Sequence, residues 1–370
     1  MPGLNAISPP QCIASTGDQH RHIIRKTDAT RKIAGKGANS NFFHTAELSA
    51  DGTTIVTHSE DQRTRTFVLP TNLLEDGDEI LTLAPYATSN PIKIRSSVLY
   101  PNFRLDESGT TVALQARTDL SIRLVNVLDY NYVHASYPWI NSNTEEIITP
   151  HALLFSPDGT RFVAGAEASI AVFDLSRDNE GPLQYHRTRR SRKIRQAYGE
   201  SDTPLSGILN ALAINPSNGW LSAGSTERQI GFWDAGGIGE KVSAFSVKDD
   251  TQPETRGCGI TQLGWSICGT YLFVAERNSD VILVFDMRQG KRLCWLKGRN
   301  AMSMQRMSFE IVESDDGRID VWAGGVDGHV RVWENITRKT DGIDPSTDII
   351  AHQGKSKRSA LYPFCLLTLI

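Results

Sequence analysis

The sequence is poor in cysteine, has no long apolar run and carries no large excess of either charge. Each shortfall excludes something. Five cysteines (Cys12, Cys258, Cys268, Cys294, Cys365) are scattered through 370 residues with no Cys-x-x-Cys pair. That spacing argues against a zinc site and a disulfide framework, and it fits a reducing compartment. No segment reaches the roughly 20 apolar residues that a membrane span needs, and the apolar stretch 361–370 is too short. Residues 1–14 show no basic region followed by an apolar core, so no secretory leader is expected. Cys365 is not fourth from the end, which excludes prenylation. A soluble, intracellular protein is expected. The formal net charge is only −3, so any polyanion would have to meet a local basic patch.

Cofactor motifs are also missing. Gly35-Lys36-Gly37 lacks the strand and helix that a phosphate loop requires, and Gly354-Lys355-Ser356 would need a glycine where Ile349 stands. The nine histidines do not cluster at metal spacings. No cofactor, metal or small-molecule substrate is expected. Asn335-Ile336-Thr337 has the form of a glycosylation sequon, but with no leader it reads as chance.

What the sequence does contain is a repeat. Six segments each carry a turn, a short apolar strand, a second turn and an alternating strand with a bulky residue. The first-turn glycines are Gly52, Gly109, Gly159, Gly219, Gly269 and Gly317. The bulky positions are Phe67, Val125, Phe173, Trp233, Phe285 and Trp333, recurring every 48–60 residues. Six residues before each lies Asp61, Asp119, Glu167, Glu227, Ser279 or Asp327. The next residue is acidic in four cases: Asp174, Asp234, Asp286 and Glu334. Runs such as Ile170-Ala171-Val172-Phe173 and Val330-Arg331-Val332-Trp333 have strand character. One such hairpin unit cannot bury both faces alone, whereas radial stacking lets neighbours bury one another. The pattern therefore predicts an all-β, WD-type β-propeller. Because the acids recur, they belong to the frame; an active site occurs once. No enzymatic activity is expected.

The reading gives seven blade positions with an incomplete or atypical last blade. Residues 1–40 are Gly-, Ser- and charge-rich and read as a partly disordered segment with a candidate closing strand in 19–33. Residues 41–337 form the propeller, and 338–370 form a linker and an apolar tail. The tail either helps build the last blade or is a truncated or alternative end.

Two basic features stand out. The run 187–195 contains Arg187, Arg189, Arg190, Arg192, Lys193 and Arg195, flanked by Tyr185 and Tyr198. It can contact phosphates with tyrosines stacking on bases, serve as a nuclear-localisation signal, or be a solvated loop. In addition, the turns between second and third strands all project on one face of a propeller. Four of the six carry arginine: Arg63, Arg117, Arg228 and Arg277. A loop on that same face holds Arg299, Gln305 and Arg306. An arginine-bearing face is expected, against the alternative that nearby acids compensate these charges. His151, before Ala-Leu-Leu-Phe-Ser-Pro-Asp-Gly, is expected to hydrogen-bond within the core.

Several stretches resemble the telomerase Cajal-body WD-repeat family, whose fungal relatives are linked to splicing. They are Asn41-Phe42-Phe43 ahead of Ser49-Ala50-Asp51-Gly52, the stretch from Thr149 through Gly159, and Asp286-Met287-Arg288-Gln289. The most specific is Leu296-Lys297-Gly298-Arg299 followed by Gln305-Arg306-Met307-Ser308-Phe309. The resemblance covers roughly 41–337. It implies a non-catalytic nuclear protein that binds small nuclear or small Cajal-body RNA and assists ribonucleoprotein biogenesis, localisation or splicing. Arg277, Arg299, Gln305 and Arg306 match the family's pattern and are its implied RNA contacts. The sequence does not include the extended N-terminal region of animal members, and no telomerase role is expected. The alternative is a protein-only scaffold like a G-protein β-type propeller.

Overall fold

The computed structural model describes residues 12–17, 20, 23–24, 39–75, 80–189, 205–249, 251–338 and 340–351. They build six blade sheets, each containing four antiparallel strands in chain order, lettered a to d from first to last, besides two two-stranded pairings. Blade 1 is Phe43–Leu48, Thr54–Ser59, Thr64–Val68 and Ala87–Thr88; blade 2 is Ile94–Leu99, Val112–Arg117, Ile122–Asn126 and Val133–Tyr137. Blade 3 is Ala152–Phe155, Arg161–Ala166, Ser169–Asp174 and Gln184–Arg187; blade 4 is Leu209–Ile214, Leu221–Ser225, Gln229–Trp233 and Lys241–Ser246. Blade 5 is Ile260–Trp265, Tyr271–Glu276, Ile282–Asp286 and Lys291–Leu296. Blade 6 is Phe309–Glu313, Ile319–Gly324, His329–Trp333 and Thr347–Ile350. Helix among the described residues is confined to three single 3-10 turns.

The seven-position expectation gives way to six blades among the described residues. The expected linker after residue 337 supplies two strands. Thr347–Ile350 is strand d of blade 6, and Asp341–Ile343 lies parallel on the outer edge of blade 5 as its fifth strand. The N-terminal part does not add a seventh sheet. Ile23–Ile24 pairs with Asn39–Ser40, and Ala14–Ser15 pairs with Leu81–Thr82. The apolar tail lies outside the described residues.

The repeated residues explain the blades. Five first-turn glycines, Gly52, Gly159, Gly219, Gly269 and Gly317, have φ between 68° and 77°, a left-handed turn that other residues adopt at a cost. Ser49, Ser156 and Ser266 close the same turn, their hydroxyls accepting the N–H of Thr54, Arg161 and Tyr271 at 2.9–3.0 Å. In the turn between strands b and c, Asp61 and Asp327 accept the N–H of Arg63 and His329. Each also pairs with an arginine four residues on, Arg65 and Arg331.

The six bulky positions are all buried. Phe173, Trp233, Phe285 and Trp333 each sit in a core shared with the preceding blade. Burying such a side chain contributes about 1.5–3 kcal/mol. Five apolar cores join blades 1–2, 2–3, 3–4, 4–5 and 5–6. Among the described residues, no comparable core joins blade 6 to blade 1. There Phe67 meets the ring of His20, with centroids 5.9 Å apart.

Candidate functional site

First strands of blades 2 and 3, 3 and 4, and 4 and 5 touch one another, so they form the inner wall of the ring there. The loops that lead into them converge at one mouth of its axis. Arg306, in the loop before blade 6, reaches across this mouth. Its guanidinium donates to the backbone carbonyls of Asn210 in blade 4 and of His151 just before blade 3. The side chain keeps accessible surface, yet protein surrounds it. Burial, with Arg277 adding repulsion, pulls its pKa down to about 10. His151 is also held below its ordinary pKa, first by burial and then by Arg95, Arg306 and Arg277, with Glu167 pulling the other way. Arg95, Arg277 and Arg306 come from blade 2, blade 5 and the loop before blade 6, yet all act on His151. The imidazole lies half-buried at this mouth, rather than in the core as its sequence context suggests. A neutral imidazole beside three cations is an environment that favours an anion.

The other arginines on this face have different fates. Arg228 is locked to Glu276 by two hydrogen bonds of 2.7 and 2.8 Å and donates a third to the Thr255 carbonyl. It ties blade 4 to blade 5. Burial raises the Glu276 carboxyl, and Arg228 opposes that rise. Arg299 is 0% exposed and donates to the Ser308 carbonyl at 2.8 Å; it organises the loop before blade 6 from inside. Arg117 is buried and donates to Gln115 at 3.1 Å. Arg63 donates to the Ser89 carbonyl at 3.0 Å. Gln305 is partly exposed beside Arg306. Arg187 and Arg189 are exposed at the rim of blade 3, and Arg190, Arg192, Lys193 and Arg195 lie outside the described residues.

Sequence reasoning therefore places Arg277 and Arg306 at a common site and gives Arg117, Arg228 and Arg299 a surface role that their burial argues against. It misses Arg95. The available signal is position: a cation near the start of a first strand points to the axis of a propeller. Burial pushes Glu47, on the first strand of blade 1, up to about 7, with Glu310 on the first strand of blade 6 adding to the rise. No group of three or more His, Cys, Asp or Glu side chains among the described residues could hold a metal ion. No helix among them is long and apolar enough to cross a membrane.

No protein-family model matches the chain. It is similar to "Guanine nucleotide-binding protein negative regulator 1" of Schizosaccharomyces pombe, 27% identical over 80% of this chain and 71% of that protein. It is also similar to "Telomerase Cajal body protein 1" of Mus musculus, 25% identical over 88% of this chain and 57% of that protein. "Protein SWT21" of Vanderwaltozyma polyspora is 24% identical over 85% of this chain and 72% of its own length. The chain thus spans little more than half the length of the mouse protein it matches.

Proposed function

We propose that this chain, a WD-repeat protein distantly related to the three proteins just named, is a non-catalytic scaffold that binds small nuclear or small Cajal-body RNA. On this reading it works in the nucleus, in ribonucleoprotein assembly, localisation or pre-mRNA splicing. The observation that carries the reading is the convergence of Arg95, Arg277 and Arg306 on His151 at one axial mouth, where burial, with Arg277 adding repulsion, pulls Arg306 down. Guanidinium groups crowded in this way gain most from a multivalent anion, and the phosphate backbone supplies one. The mouse relative's name points to a Cajal-body assembly, whereas the fission-yeast relative's name points to G-protein regulation.

Arg95→Glu with Arg277→Glu tests it. Binding of a structured small nuclear RNA is expected to fall at least about 10-fold at low salt, with a shallower salt dependence. Circular dichroism checks that the blades remain folded. Unchanged affinity in a folded variant removes the reading.

A second reading has its own support. Met302 and Met304 are more than half exposed in the loop that carries Arg306, and Ile140 is exposed in the loop before blade 3. An exposed apolar set suits a peptide partner. Binding through it would change little with salt, whereas phosphate contacts weaken steeply.

A further inference from the structure

A cavity of about 460 Å³ opens beside the arginine mouth, between the loop that leads into blade 3 and the outer strand of that blade. Asn141, His151, Ser169, Tyr185, Arg187 and Arg189 line it, with Glu167 the one acid on its wall. The register explains why these side chains meet. Arg187 lies opposite Ser169, and Tyr185 lies opposite Ala171. Ala171 belongs to the core between blades 2 and 3, so Tyr185 and Arg187 lean toward blade 2. Side chains two residues apart on a strand stand roughly 6.8 Å from one another on one face. Tyr185 is 41% exposed, braced edge-on by Trp139 with centroids 6.2 Å apart. Arg187 is exposed, and no described acidic side chain forms an ion pair with it.

We infer that this cavity takes an unpaired nucleotide of the bound RNA, a deepening that rests on the RNA reading above. Arg187 holds its phosphate, and Tyr185 offers a stacking face for the base. The amide N–H of Asn141, whose Oδ1 already accepts the Asn143 N–H at 3.0 Å, supplies a donor for the base edge. The volume suits a group of nucleotide size, and an acidic side chain of a peptide would leave most of it empty. His151 belongs to both places: its ring lines the cavity and its carbonyl receives Arg306. A strand held at the mouth therefore has a short path into the cavity. Recognition of RNA by splaying single bases onto aromatic side chains is a common mode.

The test uses the full chain with two probes of equal length, a single-stranded oligouridine and a blunt RNA duplex. Two variants are compared: Tyr185→Ala with Arg187→Ala at the cavity, and Arg95→Glu with Arg277→Glu at the mouth. Fluorescence anisotropy is expected to show the cavity variant losing about 10- to 100-fold in affinity for the single strand. Its affinity for the duplex should stay unchanged. Tyr185→Phe should bind like wild type, since the ring and not the hydroxyl stacks. If the cavity variant binds the single strand normally while the mouth variant does not, the inference falls and the RNA reading stands. If wild type binds neither probe, both fall. Displacement of the oligouridine by an equimolar acidic peptide overturns the inference in favour of a protein ligand.

Discussion

At the scale of single residues, the arginines look alike in the sequence and have different roles in the structure. Arg228 and Arg277 occupy the same kind of turn, yet one is paired with a glutamate 48 residues away and the other faces the axis. That partner lies on the next blade, and nothing in the local sequence announces it. What was legible was the clustering of cations on one face; which of them are committed inward was not. Glu47 provides a pH test at this scale. Its carboxyl sits near 4.5 when unfolded and is pushed up to about 7 in the fold by burial, aided by Glu310 and opposed by the Leu99 N–H. Between those values the folded state holds the extra proton. Its contribution to stability is therefore greatest below about 4.5, falls as pH rises through 7, and is flat above. Glu47→Gln is expected to gain on the order of 2–3 kcal/mol over wild type at pH 8 and to match it near pH 4. Urea denaturation at both pH values measures this. An offset that does not change with pH would show that Glu47 does not titrate in this window.

At the scale of strands and turns, the glycine turn was the most legible feature, because a left-handed backbone leaves a compositional mark. Gly269 has φ 68°, and an added Cβ would stand 2.3 Å from the Asn215 Oδ1. Asn215 in turn donates to the Gly269 carbonyl at 2.9 Å, joining the turns of blades 4 and 5. Gly269→Ala is expected to cost about 1–3 kcal/mol through overpacking and backbone strain. A thermal melt at fixed pH reads it, and a melt unchanged from wild type would count against the Asn215 contact. Fourth strands were far less legible. Gln184–Arg187 and Thr347–Ile350 lie at blade edges, so they need no strict apolar alternation. The second follows a detour to blade 5 that no local pattern encodes.

At the scale of the molecule, the period of the bulky residues matches the blade count once the tail is set aside, because those of blades 3 to 6 each share a core with the blade before. The expected seventh position leaned on an apolar tail, which does not show where a chain packs. Among the described residues, six blades joined by five apolar cores have two terminal members, and a row of units with ends frays from them. The ends differ. Between strands c and d of blade 6 the chain leaves for the rim of blade 5, where Asp341–Ile343 pairs with Cys294, Trp295 and Leu296. Ile343 is buried in the core of both blades. Ile343→Ala is expected to cost about 2–5 kcal/mol and to speed amide exchange in the outer strands of blades 5 and 6 together. Acceleration confined to blade 6 would refute the coupling. The detour works as a stitch: blade 6 cannot peel away until three residues are stripped from its neighbour. Unravelling is therefore expected to start at blade 1 and to reach the stitched pair last.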